Sequence, residues 1–240
     1  MKKAIKLFGI AVTVVIIGFA LTACGGNGGC SHSWGNPVTP SYGVELRTCN
    51  DCAATQRTLT LAIGATGEGG GIVFYRDVNG FRFYTGIGDE FEMRYYLEAA
   101  RANIAGARVW AVTRNLIPGL SETFTDPTDW AIGRGFRNTL ILRNNSTSTP
   151  AADATIGAHG NGKTDWFLPS RNELDELYLR RVEVNAAGES LSTGPVGWLW
   201  SSSQGDGESA WAHGFDVHDY GAALKDYPAD FARVRAVRAF

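Results

Sequence analysis

The chain has 240 residues, 44% of them hydrophobic and 19% charged, with a formal net charge of −2 at pH 7. That length and apolar content suit one globular domain with appendages, and the absence of a Lys/Arg stripe argues against a nucleic-acid-binding surface. With 30 glycines and 7 tryptophans, the composition favours a loop-rich, strand-rich fold over a helical bundle.

Residues 1–23 combine a basic start, Met1-Lys2-Lys3, with an apolar run that ends in small residues. This is the pattern of a secretion signal rather than of a structural helix, although an uncleaved membrane anchor is the alternative. The run closes on Leu21-Thr22-Ala23-Cys24, which resembles a bacterial lipobox. The resemblance implies cleavage before Cys24 and lipidation of its thiol. Each buried CH₂ of an acyl chain contributes about 0.8 kcal/mol, so several chains on one cysteine hold a protein firmly to a membrane. Gly25 follows where inner-membrane retention commonly uses Asp, which permits an outer-membrane or surface location.

The segment 24–60 contains three further cysteines, Cys30, Cys49 and Cys52, an odd number that disulfides alone do not satisfy. With His32 they form a Cys₃His set, the ligand count of a closed tetrahedral zinc site. Two alternatives stand beside a structural zinc: a disulfide from Cys30 to Cys49 or Cys52, and a Cys49–Cys52 redox pair, for which no thioredoxin-like βαβ pattern is present. The spacing also resembles a small C-x-H-x-W … R-x-C-x-x-C module of bacterial surface proteins.

From residue 61 the character changes. The run Gly64–Gly71 is glycine-rich, but it leads into the strand-like Gly71–Asp77 rather than into a helix, which argues against a nucleotide-binding loop, and a bulge or turn is expected. Asn79-Gly80 predicts a hairpin turn into Phe81–Gly86. Residues 92–104 fit either a short helix or a strand followed by a turn. Apolar residues at Trp130, Ile132, Phe136, Leu140 and Ile141 predict a helix over 129–145, followed by a polar loop that contains His159. Ser170 with Glu173 forms a capping box ahead of the apolar stripe Leu174, Leu177 and Tyr178. Glu173, Asp175 and Glu176 are expected on a solvated face near the helix N-terminus. Three strand-like pieces then follow: Gly197–Ser203, Ser209–Val217 and Arg233–Phe240. The arginines of the last piece, Arg233, Arg235 and Arg238, are expected on a solvated or ion-paired strand face.

The segments GGGIVFY, YYLEAA, GKTDWFLPSRNELDELY, WLWSSS, AWAHGF and RVRAVRAF, in this order, resemble the DUF1566 or Lcl C-terminal domain family over residues 64–240. The resemblance implies an α+β, C-type-lectin-like domain over 61–240, with two helices around small antiparallel sheets and many loops. It also implies that the first and last strands pair, with Gly71–Asp77 and Arg233–Phe240 as the candidates. The same fold on a lipoprotein resembles the Treponema variable proteins that retroelements diversify. In that family, unfaithful copying of template adenines scatters AAY codons over many residues, but never yields Met, Trp, Gln, Lys or Glu. The passage 216–232 has neither helical nor strand periodicity and obeys this limit except at Lys225. Trp211, just before it, looks like a fixed framework residue.

The reading that follows is a surface-displayed lipoprotein that binds an extracellular protein or glycan. Its contact face is expected to include Trp198, Leu199, Asp206, Ser209, His213, Asp216, His218, Asp219, Tyr220, Asp226, Tyr227, Asp230 and Phe231. Loops on a rigid scaffold suit this because their side chains change without disturbing the core, and the Tyr, Asp and His content is like that of paratopes. A fixed-specificity adhesin and a structural envelope protein of the same fold are the alternatives. Catalysis is not expected: no nucleophile–base pair or H-E-x-x-H motif is present, and the domain lacks the cysteines of formylglycine-generating relatives. The membrane is contacted through the lipid on Cys24, and beyond the zinc reading at Cys30, His32, Cys49 and Cys52 no cofactor is implied.

Overall fold

The computed structural model describes residues 32–157, 160–188, 190–191, 197–217, 219–227 and 231–240. The expected signal segment, Cys24, Cys30, His159, His218 and Asp230 lie outside the described residues. In chain order the elements are β1 (Val38–Ser41), β2 (Val44–Thr48), β3 (Thr55–Leu59), β4 (Ile72–Tyr84), β5 (Phe91–Ala99), α1 (Gly135–Asn144), α2 (Pro150–Asp153), α3 (Arg171–Leu179), α4 (Arg181–Ala187), β6 (Trp198–Gln204), β7 (Ser209–Gly214), β8 (Asp219–Leu224), β9 (Ala232–Arg233) and β10 (Val237–Ala239). The architecture is α+β. Among the described residues the strands make three sheets, ordered β1-β2-β3, β10-β5-β4 and β8-β7-β6-β9, all antiparallel except for the short parallel pairing of β6 with β9. No helix among the described residues is long and apolar enough to cross a membrane.

The central core lies where α3 packs on the β10-β5-β4 sheet. Ile72, Phe74, Leu97, Phe167, Leu174, Leu177 and Val237 are buried there. Each such side chain contributes about 1.5–3 kcal/mol by leaving water. A second cluster, around Trp110, Leu142, Leu168, Trp200 and Val234, lies beneath the four-stranded sheet. A third joins the N-terminal sheet to the rest through Val44, Val73, Tyr96 and Phe240, and Tyr96 Oη donates to Gly43 O at 2.7 Å.

Several sequence expectations are corrected. Asn79-Gly80 is not a hairpin turn. Strand β4 continues through it, pairing Arg76 with Tyr96 and then Phe81 with Arg94, so residues 77–80 bulge outward opposite Tyr95. Gly80, at φ +77°, supplies the left-handed backbone that this needs. Strand β4 and the last strand share a sheet but are not neighbours, because β5 lies between them and β10 pairs with β5. The helix expected over 129–145 starts only at Gly135. Trp130 and Ile132 precede it in turns, because Gly133 sits at φ +89° and a Cβ there would lie 1.8 Å from Arg82 O. The polar loop contains the one-turn helix α2, opened by Pro150.

Three charged side chains expected at the surface are interior. Glu173 is fully buried, as the second half of the expected capping box: Ser170 N donates to its Oε2 at 2.7 Å and Gly133 N to its Oε1 at 2.7 Å. Of the terminal arginines, Arg235 and Arg238 are buried rather than solvated. Arg238 binds Asp165 at 2.6 Å, Glu68 at 2.8 Å and Glu98 at 3.0 Å, so the ion-paired alternative describes it. The glycine-rich turn completes this network, with Gly69 N and Gly71 N donating to the Glu98 carboxylate at 2.7 and 2.8 Å. Its amides do cradle an anion, and that anion is the chain's own carboxylate.

Candidate functional site

The passage around 216–231 forms β8, at the margin of the four-stranded sheet, and the turns beside it. Strand β8 pairs with β7 residue by residue, from Ser209↔Leu224 to Gly214↔Asp219. Of its described side chains, Asp216, Val217, Asp219, Ala222, Asp226 and Tyr227 are exposed, and Tyr220, Gly221, Ala223, Leu224 and Phe231 are half-buried. Ala232, the last residue of the passage, is buried in β9, and Lys225 has no exposed surface. Its ammonium donates to Asn115 O and Gln204 Oε1, both at 2.6 Å, and to Gly207 O at 2.9 Å. Three acceptors match the three donors of an ammonium. Burial nonetheless pulls its pKa down to about 8, partly opposed by the charge of Asp206. Gln204 passes the network inward, its Oε1 accepting from Ile117 N at 2.8 Å and its Nε2 donating to Ser121 O at 2.6 Å.

Aromatic side chains cover both faces of this margin. On one face Trp198 lies across Gly214 and Gly221 and stacks on Phe231 at 5.5 Å, and Phe231 in turn meets Tyr227 at 4.9 Å. On the other face the Arg171 guanidinium sits over Trp130 at 4.4 Å, Trp211 at 4.5 Å and Tyr220 at 4.8 Å. Such cation–π contacts contribute about 0.5–2 kcal/mol each. Burial and a hydrogen bond to Asp175 raise the pKa of Tyr220, so its hydroxyl stays protonated and donates to that carboxylate.

The expected contact residues therefore divide. Asp216, Asp219, Tyr220, Asp226, Tyr227, Phe231 and half-buried Trp198 come together along the margin. Leu199 and His213 do not, being 1% and 0% exposed. His213 stacks on Tyr178 at 4.6 Å, meets Tyr220 edge-on at 4.3 Å and lies 4.0 Å from Asp175, so it supports Tyr220 from beneath. Ser209 is buried too, and Asp206 is committed to the β6–β7 turn, where its Oδ1 accepts from Glu208 N, Ser209 N and Ser209 Oγ at 2.9, 2.7 and 2.5 Å. Asp226 pairs with Arg114 at 2.7 Å. Arg171 and Trp130 were missed by the sequence reading. A signal existed for Arg171: a basic residue in the first turn of a helix opposes the macrodipole and calls for another reason to be there.

A second site lies on the N-terminal sheet. His32, Cys49 and Cys52 bring their ligand atoms within 4.8 Å of one another, with His32 Nδ1 3.3 Å from Cys52 Sγ. The gathering is local in origin: Cys49 bridges to Trp34, and a tight turn with Ala53 at φ 56° folds Cys52 back. No disulfide joins Cys49 to Cys52. The hydrogen bond with His32, followed by one with the Asp51 backbone, brings the Cys49 pKa down to about 7, favouring the thiolate that binds metals. Three N/S donors at this spacing could hold a metal ion.

No protein-family model matches the chain, and no curated protein is significantly similar to it.

Proposed function

We propose that the chain is a lipid-anchored binding protein of C-type-lectin-like fold, displayed outside the cytoplasm, whose ligand meets the sheet margin at 216–231. The passage is diversified by a retroelement, and the domain binds rather than catalyses. One observation carries this reading. Along 216–232 the described side chains are exposed or half-buried except for Lys225 and, at the very end, Ala232; Lys225 is tied inward to three carbonyl oxygens. Lys225 is also the residue that a copied AAY codon does not produce. The position that departs from the copying limit is thus the one that the scaffold needs. The expected signal segment and lipobox support the anchor.

The direct test is to sequence the DNA downstream of the gene and the gene itself across many isolates. A near-copy carrying adenines at the exposed codons, with codon 225 constant, is the expected result. Codons 216–231 that are invariant across isolates, with no repeat, would overturn diversification. The second reading, a fixed-specificity adhesin, is favoured by Gly221, where a Cβ would lie 2.9 Å from Trp198 Cη2, so that not every position of the passage is open to change.

For the N-terminal sheet we propose a structural zinc held by His32, Cys49 and Cys52, with Cys30 as the fourth ligand. The donor chemistry of the three gathered residues supports it.

A further inference from the structure

We infer that the outer edge of β8 takes an extended, basic polypeptide segment as an additional strand of the four-stranded sheet. This rests on the reading of 216–231 as the binding face, and it narrows the ligand to a polypeptide.

The ladder fixes which backbone groups point outward. Lys225 N donates to Glu208 O at 2.9 Å, so that pair is hydrogen-bonded across β7 and β8. Antiparallel pairs alternate, so by the observed register Tyr220, Ala222 and Leu224 turn their N–H and C=O away from β7. Leu224 O accepts from Tyr227 N at 2.9 Å. The other outward groups, the N–H and C=O of Tyr220 and Ala222 and the N–H of Leu224, have no partner among the described residues.

Exposed edges are commonly blunted by Lys, Pro, bulges or inward-pointing charges. Strand β8, Asp-Tyr-Gly-Ala-Ala-Leu, carries no Lys or Pro and runs its register without irregularity. The lysine that follows is turned into the core. Gly221, Ala222 and Ala223 have side chains small enough for a second backbone to approach to the usual strand spacing of about 4.8 Å. Tyr220 on one face and Trp198 with Phe231 on the other supply apolar rails for alternating side chains.

Charge selects the occupant. Asp216, Asp219 and Glu208 are exposed around the edge, and Asp175 behind Tyr220 is 40% exposed. The nearby cations are engaged: Arg114 pairs with Asp226, and Arg171 is stacked on three rings. A segment bearing Lys or Arg at alternate positions meets both the acidic rim and the unpaired ladder, the mode of β-strand addition.

The test uses the intact chain and a displayed library of random linear peptides of about ten residues, long enough to span a strand. Enriched sequences are resynthesised and titrated while amide hydrogen exchange is followed. The expected result is enrichment in Lys and Arg, with exchange at the Tyr220, Ala222 and Leu224 amides slowed by about tenfold or more on binding. Ala222→Pro removes one outward N–H at an edge position that tolerates proline, and it should weaken binding by about tenfold. Asp219→Lys should weaken it as well.

Several outcomes overturn the inference: no enriched peptide, binding that leaves those three amides unprotected, or undiminished binding to the Ala222→Pro protein. Concentration-dependent protection of the same amides without peptide would instead make a second copy of the chain the occupant. None of these results bears on codon variation. If codons 216–231 still vary between isolates, the binding face stands and its ligand is a glycan or a folded surface.

Discussion

Lys225 and Gln204 share a hydrogen bond of 2.6 Å in the interior, and the same Gln204 oxygen accepts from Ile117 N at 2.8 Å. One buried ammonium thereby ties the end of β8 to the β6–β7 turn and to the strand-free segment around 110–117.

Lys225→Met keeps most of the aliphatic stem and removes the donors, so that Asn115 O and Gly207 O each lose a partner and Gln204 Oε1 keeps only Ile117 N of its two donors. A cost of about 2–4 kcal/mol is expected, read as a lower urea midpoint with an unchanged slope. Ala222→Ser, on the exposed side of the same strand, should stay within about 0.5 kcal/mol. Equal costs at the two positions would contradict the division into anchor and open face.

Glu173 is the second interior charge with a measurable consequence. Burial raises its pKa from 4.5 to about 7, against the opposing hydrogen bonds from the Ser170, Gly133 and Gly135 backbone. Between those two values the folded chain holds a proton that the unfolded chain has released, so stability falls as pH rises from about 4.5 to about 7, by up to roughly 3 kcal/mol. Glu173→Gln should flatten this dependence. It should also destabilise by about 1–3 kcal/mol, because its NH₂ must face a backbone N–H that now donates to a carboxylate oxygen. Urea unfolding of both proteins at pH 5 and pH 8 checks the sign.

Gly221 and Ala222 are neighbours with opposite tolerance. Gly221→Val drives a side chain into the Trp198 ring and should cost about 1–3 kcal/mol, with a changed indole fluorescence as Trp198 leaves Phe231. Ala222→Val points away from that ring and should leave both stability and emission nearly unchanged.

Zinc should bind with one equivalent per chain and raise stability by about 2.7 kcal/mol at a hundredfold excess over Kd. Cobalt in its place should give thiolate charge-transfer absorption. His32→Ala and Cys52→Ser should each lose the absorption and the stabilisation, whereas Cys49 and Cys52 oxidised to a disulfide by mild peroxide would speak for the redox alternative.

Local rules made some of this legible in advance. Ser170 and Glu173 announced their capping box because the motif is encoded within four residues, and the strand character of 198–204 and 209–214 followed from side-chain type. The depth of Glu173 was not legible, since it depends on Gly133 arriving from another segment. The Asn79-Gly80 signal misled for a related reason: it reports a backbone conformation, which a bulge uses as readily as a turn, and only the partner strand decides between them. At the candidate site, periodicity could not distinguish His213 from Asp219. Both lie in strands, but the register sends them to opposite faces: Tyr178 of α3 covers His213, whereas Asp219, opposite Gly214 at the end of its strand, is exposed.

The placement of β5 between β4 and β10 also has a kinetic meaning. Arg238 and Glu98 are 140 positions apart in sequence, yet they pair within one sheet. Until Val237–Ala239 docks, β5 offers an unpaired edge and the carboxylate of Glu98 lacks its cation. Closing so long a loop is entropically slow, and high contact order lowers folding rates. The chain should therefore fold late and cooperatively, its sheet completed by the most distant strand.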